Sequence, residues 1–572
     1  MRPLLLAILA SGVARASMLI PTAADDQSVA PAFTNLVDAY FDYYFRTNPT
    51  TATNEGVHDF DHLIEGYTRA AVEAEVAATR QFLKRFEAID PDGLGFDAAS
   101  DREMVISHLR ATLLELEEVR SWERDPDYYS SGVTRAVFGL MSRKFAPPAE
   151  RLRSVIARER QTPAVFDAAR QNLQRPPRVY TEIALEELPG IIQFFERDVP
   201  AAFEDVKDEK LLKEFADANR AVIDALRRYE QFLKETVLPR SDGDFRIGPD
   251  LFRRKLLYEE MIDTPLDELM RIGYADLRAN QRAFTQTAAA IDPKLTPQEV
   301  MAELEREHPA PAKLLDSFRD VVGGLRKFCE EQRIVTFPSP VPPTIAETPP
   351  FMRALSFASM DTPGPFETRA TEAYFNVTLP EPHWPKGRVD EHMAAFNYGT
   401  IVSTAIHEAY PGHYTQFLWV QRAPSKVRKL LGCSSNSEGW AHYTEQMMFD
   451  EGYGRGDHKL RLGQLQDSLL RNCRFVVGVE MHTGKMSFDA GVDFFVREGF
   501  QTRTNAERET KRGTADPTYL VYTLGKLEIL RLRDDYRKLR GDAFTLQEFH
   551  DALLGQGYPP IKLVRRALLR RQ

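Results

Sequence analysis

The sequence predicts a mainly α protein, a large helical body with a deep cleft and a small β-sheet at the cleft's edge. Three observations lead there. Helical hydrophobic periodicity runs from about Ala32 to Ala290, and again from about Asp390 almost to the C-terminus. Between these regions, TFPSPVPPTIAETPPF, starting at Thr336, carries six prolines in 16 residues and cannot be a helix interior. The runs that follow, LSFASM and AYFNVTL, are short and β-prone between Pro/Gly turns. Composition agrees. The 572 residues are 43% apolar and 10% aromatic, enough for a large core and too rich for a disordered chain. A net charge of −10 with no basic stripe excludes nucleic acid as a partner. Cys329, Cys433 and Cys473, with no CxxC pair, cannot build a disulfide framework.

Taken in order, the chain opens with Arg2 and a ten-residue, largely apolar run from Leu4 to Val13, too short to span a bilayer. Ala14-Arg15-Ala16 then fits a small-x-small cleavage site. Residues 1–16, extending at most to 24, read as a signal peptide, and the mature chain as periplasmic or secreted. No cysteine follows the run, which argues against a lipid anchor. No other segment holds 18 uninterrupted apolar residues, so no membrane span is expected in the mature chain.

Residues 27–333 form an N-terminal helical region. Ala71–Glu87 places Val72, Val76, Phe82, Leu83 and Phe86 near one face, and Asp101–Trp122 repeats the pattern with Met104, Leu109, Leu113 and Leu116. Pro147-Pro148 precedes another amphipathic run. Thr264-Pro265 before Glu268 predicts a helix start with Thr264 as the N-cap. Residues 334–389 hold the proline-rich segment and the small sheet. For Ala373–Leu379 two readings stand. It is an exposed edge strand to which an extended peptide could add, with Tyr374 and Asn376 against substrate, or it is a core strand. Residues 390–572 form a helical region that carries the chemistry.

Five of the 12 histidines fall between 392 and 458. His407 and His413 belong to HEAYPGHYTQ. A His-Glu pair followed by a nearby His is what a catalytic zinc needs. Neutral imidazoles bind the ion, and the carboxylate beside the first ligand, Glu408, takes a proton from the water that the ion acidifies. The six-residue spacing departs from H-E-x-x-H. On a regular helix it would turn the two rings roughly 240° apart. Pro411-Gly412 supplies the break that the spacing demands, since proline interrupts the hydrogen-bond ladder and glycine tolerates the angles that follow. The next helix offers Glu438, His442 and Glu445 at i, i+4 and i+7 on one face, with Ser437 or Asn436 as its cap. Glu438 is the expected third ligand, and His442 or Glu445 would orient a ligating imidazole. Tyr519, Tyr522 and His482 are suited by type to stabilise an oxyanion. Arg474 or Lys526 could hold a substrate's terminal carboxylate, Arg474 being preferred for its planar fork.

HEAYPGHYTQ followed by SEGWAHYTEQ resembles the bacterial family known as domain of unknown function 885. The likeness extends to NPTTATNEGVHDFD near residue 48, PPAERL at 147, ARQNLQRPP at 169, and GDAFTLQEFHDALLGQGYPP near the end. Members are regarded as zinc metallopeptidases related to the gluzincins. The resemblance implies a gluzincin-like helical architecture and one Zn2+ per chain. It also implies His407, His413 and Glu438 as ligands, Glu408 as the base, and short peptides as substrates. The family's P-G-Q-A-x-x-Y-x-x-G pattern reads here as DPTYLVYTLGK, so the roles of Tyr519 and Tyr522 stay open. Two rivals also stand: a zinc amidase or esterase with a non-peptide substrate, and a binding protein that retains the metal.

Overall fold

The computed structural model describes residues 31–349, 353 and 356–570. The expected signal peptide lies outside the described residues. Nearly all regular structure is helical, with one three-stranded sheet. Local rules explain the N-terminal helices. Arg69–Glu87 begins where the Thr68 side chain accepts from the Ala71 amide, and it buries Val72, Thr79 and Phe86 at seven-residue intervals. Pro148 opens Pro148–Glu159 at the first turn, where its missing N–H costs nothing.

The helices gather into several cores. One unites residues from Tyr67 to Val237 with Ala370. A second joins α1 (Leu266–Ile291) to the helices of the C-terminal half, with Leu269, Leu277 and Phe284 against Leu469, Phe475 and Val476. Thr264 does not cap α1. Pro265 occupies the cap with an extended ψ of 147°, one residue later than expected, and no side chain caps the end. The proline's fixed φ suits that position.

A third core holds the sheet. It unites α2 (Leu314–Glu331), β1 (Thr344–Glu347), β2 (Ala358–Asp361) and β3 (Tyr374–Val377) with α3 (Tyr398–Glu408). The strand order is β1-β3-β2, with β1 parallel and β2 antiparallel to β3. Thr344 pairs with Tyr374, and Ala358 with Val377. β3 is therefore the central strand, which corrects the edge-strand reading. Both sides of its backbone are already paired, so no peptide can add to it. Asn376 is buried and Tyr374 is half-buried, so neither presents a free substrate-binding strand. The edges fall to β2 and to β1, which follows Pro342-Pro343. An edge is where proline beside a strand is tolerated. Phe375 and Val377 point into the core with Phe318, Ile401 and Ala405, and so fix the sheet beside α3.

Candidate metal centre

The site is built on α3, α4 (His413–Val420), α5 (Ser434–Asp450), α6 (His458–His482), α7 (Arg503–Ala515) and α8 (Val521–Arg540). Asn397 caps α3 by accepting from the Thr400 amide at 3.0 Å. The helix ends at Glu408. The amides of Ala409 and Tyr410 both turn back to the Ala405 carbonyl, at 2.9 and 3.3 Å, and that of Gly412 reaches Ile406 O at 3.0 Å. A Cβ on Gly412 would stand 1.9 Å from His407 O, so only glycine permits this turn. α4 then starts on His413. The break demanded by the spacing brings the His407 and His413 rings edge to face, with centroids 4.7 Å apart.

α5 closes the site. Trp440 Nε1 donates to the carbonyls of Pro411 and Gly412, at 2.9 and 3.3 Å, and pins the turn. Glu438 Oε2 lies 3.3 Å from His407 Nε2 and 3.4 Å from His413 Nε2. All three donor atoms lie within 4.8 Å of one another. Glu438 Oε2 is buried with no hydrogen-bond partner among the described residues. A tetrahedral zinc with bonds of about 2.0–2.2 Å sets adjacent donor atoms roughly 3.4 Å apart, and the two measured separations match that edge. The residues therefore fit a zinc ion.

The surrounding groups set the donors. His407 Nδ1 donates to Glu445 Oε1 at 2.6 Å, which leaves the Nε2 lone pair aimed at the shared point. Glu445 also accepts from His442 Nδ1 at 3.1 Å and forms an ion pair with Arg471 Nη2 at 2.9 Å, and it is fully buried. Glu445 is thus the orienting carboxylate, and His442 supports it from behind. Neither Ser437 nor Asn436 caps α5. Glu260 does so, its two oxygens accepting from the Ser434 and Ser435 amides at 3.1 and 2.8 Å. A carboxylate is well placed at a helix N-terminus. Glu408 lies directly after His407, buried but outside the trio of donor atoms, and burial raises its carboxyl above the ordinary value.

The sequence matches the family described as bacterial protein of unknown function (DUF885) over residues 49–568. The chain belongs to the DUF885 family. It is also similar to two solved structures. One is a chain from Shewanella oneidensis assigned as a lipoprotein of unknown function. It is 26% identical with a TM-score of 0.78, over 95% of this chain and 100% of that one. The other, from Colwellia psychrerythraea and also assigned as a lipoprotein, is 18% identical with a TM-score of 0.78. That match covers 94% of this chain and 99% of that one, and it speaks to the fold alone. No curated protein matches the sequence.

Within this DUF885 fold the remaining predicted residues separate sharply. α8 lies against α5 through Gly439 and Gly525, and this contact carries Tyr522 to the site. The Tyr522 ring stacks on His407 at 6.5 Å with an interplanar angle of 22°. Its hydroxyl oxygen accepts from Arg512 Nη2 at 3.2 Å, and burial raises the phenol to about 12. Tyr519 points elsewhere. It is buried, and its hydroxyl lies where a Cβ on Gly513 would be, 2.2 Å away.

His482 is corrected to a packing residue. Its Nε2 donates to Gly513 O at 2.7 Å, its ring sits against Phe245 and Phe252, and burial lowers it to about 4. Arg474 is corrected as well. Its Nε and Nη2 are spent on Glu509 at 2.7 and 3.0 Å, with both side chains buried. Lys526 is fully buried on Asp276 at 2.9 Å. Neither cation is free to grip a substrate. Sequence reading missed Arg471, Arg512, Glu260 and the pinning role of Trp440. Trp440 and Arg471 could have been suspected, Trp440 from its place inside SEGWAH and Arg471 as a cation one helix beyond a face with two carboxylates.

Proposed function

We propose that this chain is a zinc-dependent metallopeptidase that hydrolyses peptide bonds of short peptides outside the cytoplasm. One observation carries the reading: Glu438 Oε2 lies 3.3 and 3.4 Å from His407 Nε2 and His413 Nε2, both tetrahedral-edge distances, all three donor atoms fall within 4.8 Å of one another, and a second carboxylate, Glu408, is adjacent in the chain. Zinc held by His407, His413 and Glu438 supplies Lewis acidity, polarising a carbonyl and making water acidic enough to attack at neutral pH. Glu408 takes the proton lost by the attacking water and passes it to the leaving nitrogen. Its raised pKa suits a base that must also give the proton back. Tyr522 stays protonated at neutral pH. Because its oxygen accepts from Arg512, its own O–H is free to donate to the oxygen that gains negative charge. Glu445 keeps the proton of His407 on Nδ1. A third ligand drawn from the following helix is the gluzincin arrangement. The lipoprotein assignment of the similar Shewanella oneidensis structure and the apolar N-terminal run support an extracytoplasmic location.

The test uses the full chain purified from zinc-supplied cells and a peptide library read by mass spectrometry. Wild type should cut peptides, Glu408→Gln should retain the metal without cutting, and His413→Ala should lose both. Full activity in Glu408→Gln contradicts the assigned role.

A further inference from the structure

Three guanidinium groups surround Tyr522. The Cζ atoms of Arg471, Arg474 and Arg512 lie 5.9, 5.1 and 5.9 Å from its ring centroid. Arg471 is neutralised by Glu445 at 2.9 Å, and Arg474 by its two bonds to Glu509. Arg512 differs. Its Nη2 donates to Tyr522 Oη at 3.2 Å and meets Asp516 at 3.3 Å, while its side chain is 41% exposed. Of its five N–H donors, the three on Nε and Nη1 have no partner among the described residues. It sits on α7 one turn from the exposed Arg508, whose charge bears on His392. His392 in turn bonds Thr378 O just after β3. Asp516 shares the charge of Arg512, but the donors on Nε and Nη1 stay open to a ligand.

We propose that Arg512 is the anion-binding residue of this site, and that it takes the C-terminal carboxylate of a short peptide whose scissile carbonyl lies among His407, His413 and Glu438. The inference rests on the peptidase reading and names its substrate class: peptides cut near a free C-terminus. The spacing allows this. Ring stacking puts the guanidinium within roughly 12 Å of the His407 ring, which one or two residues of about 3.5 Å each span with the contacts at either end. Arg512 also explains why the buried Arg474 need not be free. The Arg474–Glu509 pair underlies the Tyr522 ring, and the exposed arginine meets the ligand. Because Arg512 and Tyr522 share a hydrogen bond, a carboxylate drawn to Arg512 arrives beside the Tyr522 hydroxyl.

The test titrates the full-length Glu408→Gln chain, in zinc-containing buffer, calorimetrically with trialanine and with trialanine amide. The free acid should bind about tenfold more tightly or better, as expected for charge-assisted hydrogen bonds. Arg512→Ala should erase that preference, and Arg512→Lys should keep part of it. Equal binding of acid and amide, or a preference that survives Arg512→Ala, overturns the assignment. The two readings fail separately. Arg512-dependent acid preference in a chain whose wild type cuts no peptide keeps the anion site and sinks the peptidase. Equal cleavage of acid and amide, indifferent to Arg512→Ala, keeps the peptidase and sinks the anion site.

Discussion

Replacing Gly525 with alanine should separate α5 from α8 and damage the site without touching any ligand. A Cβ at Gly525 would stand 1.9 Å from Ser435 O and 2.8 Å from Gly439 Cα. Both obstacles are backbone, so no side chain can swing aside. Ordinary contact needs roughly 3.4 Å, so the helices must part locally by about 1.5 Å, which is overpacking at its most rigid and costs about 3 kcal/mol. Alanine's better helix propensity returns about 1 kcal/mol. The net loss should be about 2 kcal/mol. Tyr522 lies one turn earlier on α8 and should move from its stacking on His407. Urea denaturation followed by circular dichroism measures the loss. The control is Gly323→Ala in α2, where nothing lies within 4 Å of the added carbon. That change should be neutral or stabilising by up to about 1 kcal/mol. If Gly525→Ala costs no more than Gly323→Ala, the close-approach reasoning is wrong.

Two further outcomes are expected. Glu445→Gln removes the charge that holds the Nδ1 proton of His407 and leaves Arg471 without its buried partner, so zinc affinity should fall about 10- to 100-fold in a chelator competition. An unchanged affinity would mean that Glu445 does not orient the imidazole. His58 bridges Asp61 and Glu367 at 3.0 Å on each nitrogen. Burial works against its charge, but the two carboxylate hydrogen bonds raise its pKa above the ordinary value. A raised group stabilises fully below its unfolded pKa of about 6.5 and loses that contribution as pH rises through the folded value. The melting-temperature gap between wild type and His58→Ala should therefore be widest below about pH 6 and shrink toward alkaline pH. A gap independent of pH contradicts it.

The parts of this molecule legible in the sequence are those set by local rules. The helical period located the amphipathic helices, and the prolines located the sheet. The six-residue histidine spacing required a break that Pro411-Gly412 supplies. What stayed hidden depends on partners distant along the chain. A charged side chain's role is decided by whether something neutralises it. Arg474 meets Glu509 35 residues away, Lys526 meets Asp276 250 away, and Glu260 caps α5 from 174 away. No spacing rule carries that information. Strand order fails for the same reason. AYFNVTL has a β-prone composition in either setting, and only long-range pairing puts it at the centre. Gly439 and Gly525 are visible in the sequence, but that they touch is a property of the packed helices.

The central claim is that His407, His413 and Glu438 together hold one zinc ion, and elemental analysis of the purified full chain tests it most directly. Wild type from zinc-supplied cells should contain one zinc per chain after gel filtration. Glu408→Gln should contain the same amount, and His413→Ala and Glu438→Ala should contain close to none while remaining folded by circular dichroism. Wild-type protein with no stoichiometric zinc, or zinc that persists undiminished in both ligand variants, would contradict the account.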